Sequence, residues 1–169
     1  MINTMLLIII VPTLMAWAAS TDLLTMTISN WLSIALICLF PITAFFVGLP
    51  LSVALMSVGA GLLVLICGFL LFSFGVIGGG DAKFAAAVAM WVGFSELMPY
   101  LLIVSLLGGA LTFFIIWIKS NPLPSLAARM PWFAMMQDPK TGIPYGIALS
   151  IGALLILPHT PIWLAAFNG

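Results

Sequence analysis

The chain has 169 residues, of which 64% are hydrophobic and only 5% are charged. Four acidic and four basic residues cannot provide the charged surface that a soluble domain of this length needs. A formal net charge of zero also argues against nucleic-acid binding, which requires clustered Lys and Arg side chains. The composition therefore predicts a single membrane-embedded domain over residues 1–169.

Apolar segments separated by glycine, proline and polar residues follow one another along the chain. A membrane-spanning helix needs about 20 apolar residues, with a range of about 17 to 25. The predicted segments are 2–19, 31–47, 51–74, 82–94, 100–118 and 144–166. The fourth is short, and the last turns of the sixth contain Pro158 and Pro161. We predict an all-α polytopic membrane protein with about six transmembrane helices.

The first apolar segment begins almost at residue 1, with no Lys or Arg before it, and further apolar segments follow. This pattern favours a retained membrane anchor over a cleaved signal peptide. Cys38 and Cys67 lie inside apolar runs, and no CxxC or Cys/His spacing surrounds them. We therefore predict no disulfide, no metal site and no cofactor.

Charged residues predict the orientation, because cytoplasmic loops near spanning helices are enriched in Lys and Arg. With six spans, one side receives all the basic residues, namely Lys83, Lys119, Arg129 and Lys140. Glu96 and His159 fall on the opposite side. If the fourth segment were re-entrant, Lys119, Arg129 and Lys140 would lie on the outer side of the membrane. That placement would contradict the enrichment of Lys and Arg in cytoplasmic loops. We therefore predict that both termini are periplasmic and that residues 120–142 form the longest cytoplasmic loop.

Two acidic residues stand out, because ionisable groups at membrane depth are costly and are usually functional. Asp22 follows the first span and Asp81 precedes the fourth, so both are predicted at the same cytoplasmic face. Two neighbouring carboxylates do not ionise together easily. The ionised one can activate a water as general base, while the protonated one donates to a scissile carbonyl. The sequence indicates the shared face but not the distance.

Gly78, Gly79 and Gly80 precede Asp81 and are predicted to allow positive φ and a close approach to a neighbouring helix or an extended substrate. Simpler interpretations of the aspartates remain open from the residues alone. Asp81 could only cap the fourth helix, and Asp22 could be an ordinary loop residue after a helix end.

Three stretches of this chain resemble the type IV prepilin peptidase family. GGGDAK at residues 78–83 resembles the GxGD signature of intramembrane aspartyl proteases, in the GGGDxK form typical of that family. DLLTMTISNW at 22–31 resembles its first-aspartate motif, and KTGIPYG at 140–146 resembles its final Ile-Pro-Tyr-Gly element. The motifs occur in the family order and cover most of the chain. The resemblance implies the GxGD aspartyl protease fold.

The resemblance implies a prepilin leader peptidase, an aspartic-type endopeptidase with Asp22 and Asp81 as its catalytic pair. Such an enzyme removes a short basic leader from pilin or pseudopilin precursors at the cytoplasmic face of the bacterial inner membrane, in type IV pilus assembly or protein secretion. Its partners would be the precursor protein and membrane lipid, without nucleic acid. Whether the chain forms a homo-oligomer is left open.

The resemblance also implies supporting positions in the substrate-binding region. Gly78 and Gly80 match the glycines that shape the loop, and the other supporting residues are Asn30, Lys83, Pro144, Tyr145 and Gly146. From the residues themselves, we expect Asn30 to cap the second helix. Lys83 either pairs with a carboxylate or marks the inner membrane boundary.

The chain departs from the family pattern in two places. Ser29 stands where the family usually has proline, which predicts a looser turn, and a loop that is usually basic contains Leu23, Leu24 and Met26. The chain also resembles the short enzymes of Flp-type pilus systems, because it lacks the cysteine-containing domain with which longer members methylate the new N-terminus. We therefore expect peptidase activity without methyltransferase activity.

Two other classes of function compete with the protease. In a small proton- or ion-coupled transporter, Asp22 and Asp81 would relay protons or bind a cation, but corresponding broken helices are expected in both halves of such a chain. A non-catalytic membrane assembly subunit would use its small-residue helix faces, at residues 85–89 and at Gly108 and Gly109, for packing. Asn at either aspartate position would then be harmless.

Overall fold

Apolar runs of this length form helices in lipid, because a helix satisfies its backbone hydrogen bonds internally. The computed structural model describes residues 2–121, 136 and 142–168. The helices are α1 (Ile2–Thr25), α2 (Asn30–Phe46), α3 (Leu51–Ser73), α4 (Gly79–Ser120), α5 (Tyr145–Ile156) and α6 (Pro161–Asn168), with a 3₁₀ turn at Leu157–His159. The described part of the chain contains no strand, which confirms the predicted all-α class. Most of the predicted 120–142 loop, including Arg129 and Lys140, lies outside the described residues.

Three helices, α1, α3 and α4, are long and apolar enough to cross a membrane. The consecutive helices α5 and α6 meet the same criterion only as a pair, bent by 48°. Helix α2 is apolar but has only 17 residues. The chain is therefore a multi-pass membrane protein of the all-α class, as predicted.

Helix α4 is interrupted at Gly93, which has non-helical angles of φ 70° and ψ 170°. A Cβ at Gly68 of α3 would lie 3.1 Å from the Ala82 Cβ, and one at Gly93 would lie 3.2 Å from the Ser57 hydroxyl oxygen. These contacts show that residues 79–92 run antiparallel to α3. The short fourth segment predicted from sequence therefore ends at this break.

The second part of α4, residues 94–120, returns towards the start of the first part. Tyr100 donates a hydrogen bond to the carbonyl of Leu149 (3.4 Å), and Tyr145 contacts Gly108, so α5 is antiparallel to this part. The described helices thus make six passes between the two ends of the bundle. This matches the six segments that the sequence predicted, although α2 and 79–92 are shorter than a typical span.

The core lies between α1, α2, the first part of α4, and α5. Trp91 is buried there, donating from Nε1 to the Leu36 carbonyl (3.1 Å) and contacting Phe40 edge to face at a ring-centroid distance of 5.5 Å. Helix α3 packs on α4 through small residues, since a Cβ at Gly61 would clash with Met90. The predicted small-residue packing is correct for residues 85–89, where the Ala86 carbonyl oxygen would lie 3.0 Å from a Cβ at Gly61, and for Gly108, which contacts Tyr145. It is wrong for Gly109, where an added Cβ would contact nothing within 4 Å.

The first helix is longer than predicted, because it continues past residue 19 to Thr25. The predicted segment ended before Ser20, Thr21 and Asp22. Instead, the hydroxyls of Ser20, Thr21 and Thr25 each donate to the carbonyl four residues earlier, at 2.9, 3.1 and 2.7 Å respectively. These bonds are compatible with helical backbone. Leu23, Leu24 and Asp22 are consequently helical, which corrects the prediction that they form a loop.

The α3–α4 packing predicts a difference between two glycines. Gly68→Val should destabilise the fold by about 1–3 kcal/mol, because the added methyl groups overpack the contact with Ala82. Gly109→Val makes the same change at an exposed helical glycine and should have a much smaller effect. Thermal unfolding of the purified protein in detergent measures both. Equal midpoints for the two variants would contradict this packing.

Candidate active site

The aspartates predicted from sequence lie in one cleft at one end of the bundle. The cleft has a volume of about 400 Å³. It is lined by Asp22, Met26, Thr27, Ile28, Asn30, Gly78, Gly79, Gly80, Asp81, Lys83 and Ile143. Both carboxylates are part of the cleft wall. The structure thus brings together the C-terminus of α1 and the N-terminus of α4. This agrees with the prediction that Asp22 and Asp81 lie at the same face.

Asp22 lies in the last turn of α1 and is only 2% exposed. Its Oδ2 accepts a hydrogen bond from the backbone N–H of Gly146, with an N to O distance of 2.7 Å. Gly146 is the second residue of α5, whose N-terminal amides lack partners within the helix and favour a negative charge. A Cβ at Gly146 would lie 2.7 Å from this oxygen and 2.6 Å from Cδ1 of Ile28. Glycine is therefore required for the contact.

Asp81 is the third residue of α4, and Gly78 is the N-cap. The Asp81 carboxylate lies beside the backbone of Gly78, where the third-position side chain of a capping box is found. A Cβ at Gly78 would be 2.8 Å from the Asp81 Oδ2. The capping arrangement that the sequence left open is therefore present. It leaves the carboxylate on the wall of the cleft.

The glycine run was predicted to allow positive φ and close approach, and the structure shows only the close approach. Gly78 has φ −71°, and the run contains no positive φ, which occurs just before it at Gly75. A Cβ at Gly80 would be 3.3 Å from the Ile28 carbonyl oxygen. One at Gly79 would be 3.3 Å from the Phe72 ring. The glycines bring the start of α4 against α3 and against the segment that joins α1 to α2.

Asn30 was expected to cap α2, and that prediction is wrong. The N-cap is Ser29, whose side chain makes no capping hydrogen bond, and Asn30 is the first helical residue. The Asn30 Oδ1 instead accepts a hydrogen bond from Nζ of Lys83 at 3.2 Å. A charged donor makes a stronger bond than a backbone amide. Lys83 therefore joins α4 to α2 at the cleft through the side-chain amide of Asn30, not through a carboxylate.

Pro144 and Tyr145 belong to the start of α5. Pro144 is its N-cap, and its carbonyl accepts from the N–H of Ile147 at 3.3 Å. The Tyr145 hydroxyl is hydrogen-bonded to Oγ1 of Thr112 at 3.1 Å. Its ring lies against Gly108, where a Cβ would be 3.3 Å from Cε1. These contacts join the final motif to the second part of α4.

Sequence reasoning missed two residues of this region. Ile28 contacts both Gly80 and Gly146, so it separates the starts of α4 and α5 beneath the carboxylates. Thr112 binds Tyr145. The available signal for Thr112 was its spacing of four residues from Gly108, which places both on one helix face. Ile28 carried no distinctive signal, because an apolar residue is ordinary throughout this chain.

The end of the bundle that contains the cleft has the features of a membrane interface. Three tryptophans near it are exposed, namely Trp17, Trp31 and Trp117. Tryptophan is enriched at membrane interfaces. At the opposite end, Pro161, two residues after the exposed His159, lies 3.9 Å from a Cβ built at Gly93. Glu96 is three residues after the break at Gly93, so Glu96 and His159 lie away from the aspartates, as predicted.

The turn before α2 generates a prediction about Ser29. Its φ of −69° is close to the value that a proline ring imposes, and Ile28 before it is outside a helix. Ser29→Pro should therefore stabilise the fold by about 0.4–1 kcal/mol by restricting the unfolded chain. Ile34→Pro, at an exposed position inside α2, should cost about 3 kcal/mol.

Thermal unfolding in detergent measures this pair of variants. A lower midpoint for Ser29→Pro than for the unmodified protein would show that the turn does not have proline geometry.

Comparison with known protein families gives one finding for this chain. Residues 9–113 match the type IV leader peptidase family, a range that includes Asp22, Asp81 and Thr112 but ends before Tyr145. No curated protein and no solved structure matches the chain. Since the matched range covers more than half of the sequence, this protein belongs to the type IV leader peptidase family.

Proposed function

We propose that this chain is a prepilin leader peptidase, an aspartyl endopeptidase in which Asp22 and Asp81 form the catalytic pair. The observation that carries the proposal is the meeting of these two carboxylates in one cleft of a chain from this peptidase family. The proposed substrates are type IV prepilin-like precursors, either pilins or pseudopilins, which the enzyme cuts between the leader and the mature protein.

The proposed reaction is hydrolysis of one peptide bond. The ionised aspartate takes a proton from a water, whose oxygen attacks the carbonyl carbon of the scissile bond. The protonated aspartate donates to the carbonyl oxygen as that oxygen becomes negative. The C–N bond then breaks as the leaving nitrogen gains a proton, and the products are a carboxylic acid and a free amine. The two carboxyl groups can exchange roles between steps, as neighbouring acids sharing one proton do.

The backbone contacts of the aspartates support this chemistry. Asp22 is held by the Gly146 amide, and the Gly78 backbone lies beside the Asp81 carboxylate, so both carboxylates face main-chain groups before a substrate arrives. Preorganised groups in a partly dry site are worth more than the same groups in water, because no solvent has to rearrange during the reaction. Both main-chain groups lie at helix starts, which are rigid elements of the bundle.

The surroundings of the cleft support an amphiphilic substrate. At Gly79 and Lys83 the cleft adjoins an apolar pocket of about 190 Å³ between α3 and α4. The pocket is further lined by Leu65, Phe69, Phe72 and Ala82. A precursor with a polar leader and an apolar helix would present one part to the carboxylates and the other to this pocket. The acidic pair would also attract a basic leader electrostatically.

The proposed location is the bacterial inner membrane, with the cleft at the cytoplasmic face and both termini periplasmic. Lys83 lies at the cleft, and Lys119 lies in the last turn of α4, beyond the level of Tyr145. Basic residues concentrate on the cytoplasmic side of membrane proteins. Ile8 near the start of the chain and Trp163 near its end line one small cavity at the opposite end. This arrangement supports the proposal that both termini lie on the periplasmic side.

Replacing either aspartate tests the proposal. Asp22→Asn and Asp81→Asn preserve shape but remove the ionisable group, so each should reduce prepilin cleavage by about 10²- to 10⁴-fold. Glu96→Gln makes the same chemical change at the other end of the bundle and should leave cleavage unchanged. The measurement is the fraction of a co-expressed prepilin that is shortened, normalised to the amount of each variant in the membrane.

Cleavage that survives in either aspartate variant at normal abundance would refute the catalytic pair. The transporter or the assembly subunit would then be the better interpretation of these residues.

A further inference from the structure

Thr112 lies outside the three sequence motifs, yet it contacts the residue that precedes the Asp22 hydrogen-bond donor. Its hydroxyl donates to the Gly108 carbonyl one turn earlier, with an O to O distance of 2.7 Å. A threonine hydroxyl has a single proton, so its oxygen must accept in its second contact, the one with the Tyr145 hydroxyl at 3.1 Å. The Tyr145 O–H is therefore the donor in this pair.

The ring of Tyr145 is also fixed by shape. A Cβ at Gly108 would lie 3.3 Å from Cε1 and 3.4 Å from Cδ1 of the ring, so the ring rests directly on the α4 backbone. Gly108 supplies the flat surface and Thr112 supplies the acceptor one turn further along. Together they specify both the position of the ring and the direction of its hydroxyl.

The position of Tyr145 controls the orientation of the next amide. The Tyr145 carbonyl and the Gly146 N–H belong to one planar peptide unit, so they move together. That N–H is the group that donates to Asp22 at 2.7 Å. A contact on α4 is therefore connected to a carboxylate on α1 through a single peptide plane at the start of α5.

We propose that Thr112 is a positioning residue for the catalytic pair. With Gly108, it holds Tyr145 so that the Gly146 amide is directed at the Asp22 carboxylate. This inference rests on the proposed function, since it concerns the geometry of a carboxylate that the proposal makes catalytic. Thr112 itself touches neither aspartate in this arrangement and acts through Tyr145 and Gly146.

Four variants test the inference. Thr112→Val has nearly the same shape but lacks the threonine hydroxyl. Tyr145→Phe removes the tyrosine hydroxyl with which Thr112 is hydrogen-bonded. Thr112→Ser retains the hydroxyl and should keep the activity of the unmodified protein. Thr13→Val is the matched control, because the Thr13 hydroxyl also donates to a carbonyl four residues earlier, at 2.9 Å, but on an exposed face of α1. Steady-state cleavage of a purified prepilin in detergent gives kcat and KM for each.

The expected result is a kcat about 10-fold lower for Thr112→Val and for Tyr145→Phe, because a small misplacement of a reacting group is costly. KM should stay within about 2-fold, since the substrate still binds the same cleft. The double variant should be no worse than either single variant, because both remove the same hydrogen bond between Thr112 and Tyr145. Thr112→Val also removes the bond to the Gly108 carbonyl, and Thr13→Val controls for the loss of such a bond within a helix. Thr112→Ser and Thr13→Val should match the unmodified protein.

The possible failures are distinguishable. Absence of cleavage by the unmodified protein overturns the proposed function and the inference with it. An active protein whose Thr112→Val variant keeps the full kcat overturns only the positioning role. A kcat lowered equally in Thr112→Val and Thr112→Ser also overturns it, since that outcome indicates packing rather than a hydroxyl contact.

Discussion

Amide groups at the start of a helix have no partner within the helix, and a lipid environment cannot supply one. This constraint organises the described part of the chain. Helices α4 and α5 both begin at the same end of the bundle, and an aspartate lies at each start: Gly146 donates to Asp22, and Gly78 lies beside the Asp81 carboxylate. The two carboxylates therefore stabilise helix starts and, in the proposed enzyme, perform the chemistry. The fold and the site depend on the same two helix starts.

The close approach of α1, α4 and α5 at the cleft depends on glycines, which have no side chain. A Cβ at Gly146 would meet Asp22 and Ile28, and one at Gly80 would meet the Ile28 backbone. Glycine at such positions lets two main chains and a carboxylate share a small volume. The same device recurs at Gly68 on α3 and at Gly108 under Tyr145. In this membrane protein, where hydrophobic force between helices is weak, close contact through small residues supplies much of the packing.

The sequence predicted the segments well, because hydropathy and membrane thickness fix where spanning helices can occur. It also predicted that Asp22 and Asp81 share one end, since that follows from counting spans. It failed where the outcome depended on partners distant in sequence. Asn30 binds Lys83 instead of capping α2, and Tyr145 binds Thr112. Local residue preferences contain no information about such contacts, and Ser20 and its neighbours continued α1 because their hydroxyls fit helical backbone.

The break at Gly93 has a consequence for how water meets the cleft. Residues 79–92 rise only about 20 Å at 1.5 Å per residue, whereas the hydrocarbon core of a membrane is about 30 Å thick. Most side chains of this segment are buried against neighbouring helices, so protein rather than lipid surrounds it where it falls short of the membrane thickness. The cleft at its start is lined by polar groups, among them Asp22, Asn30 and Asp81. In the proposed enzyme, these groups rather than the lipid would then accommodate the water that hydrolysis consumes.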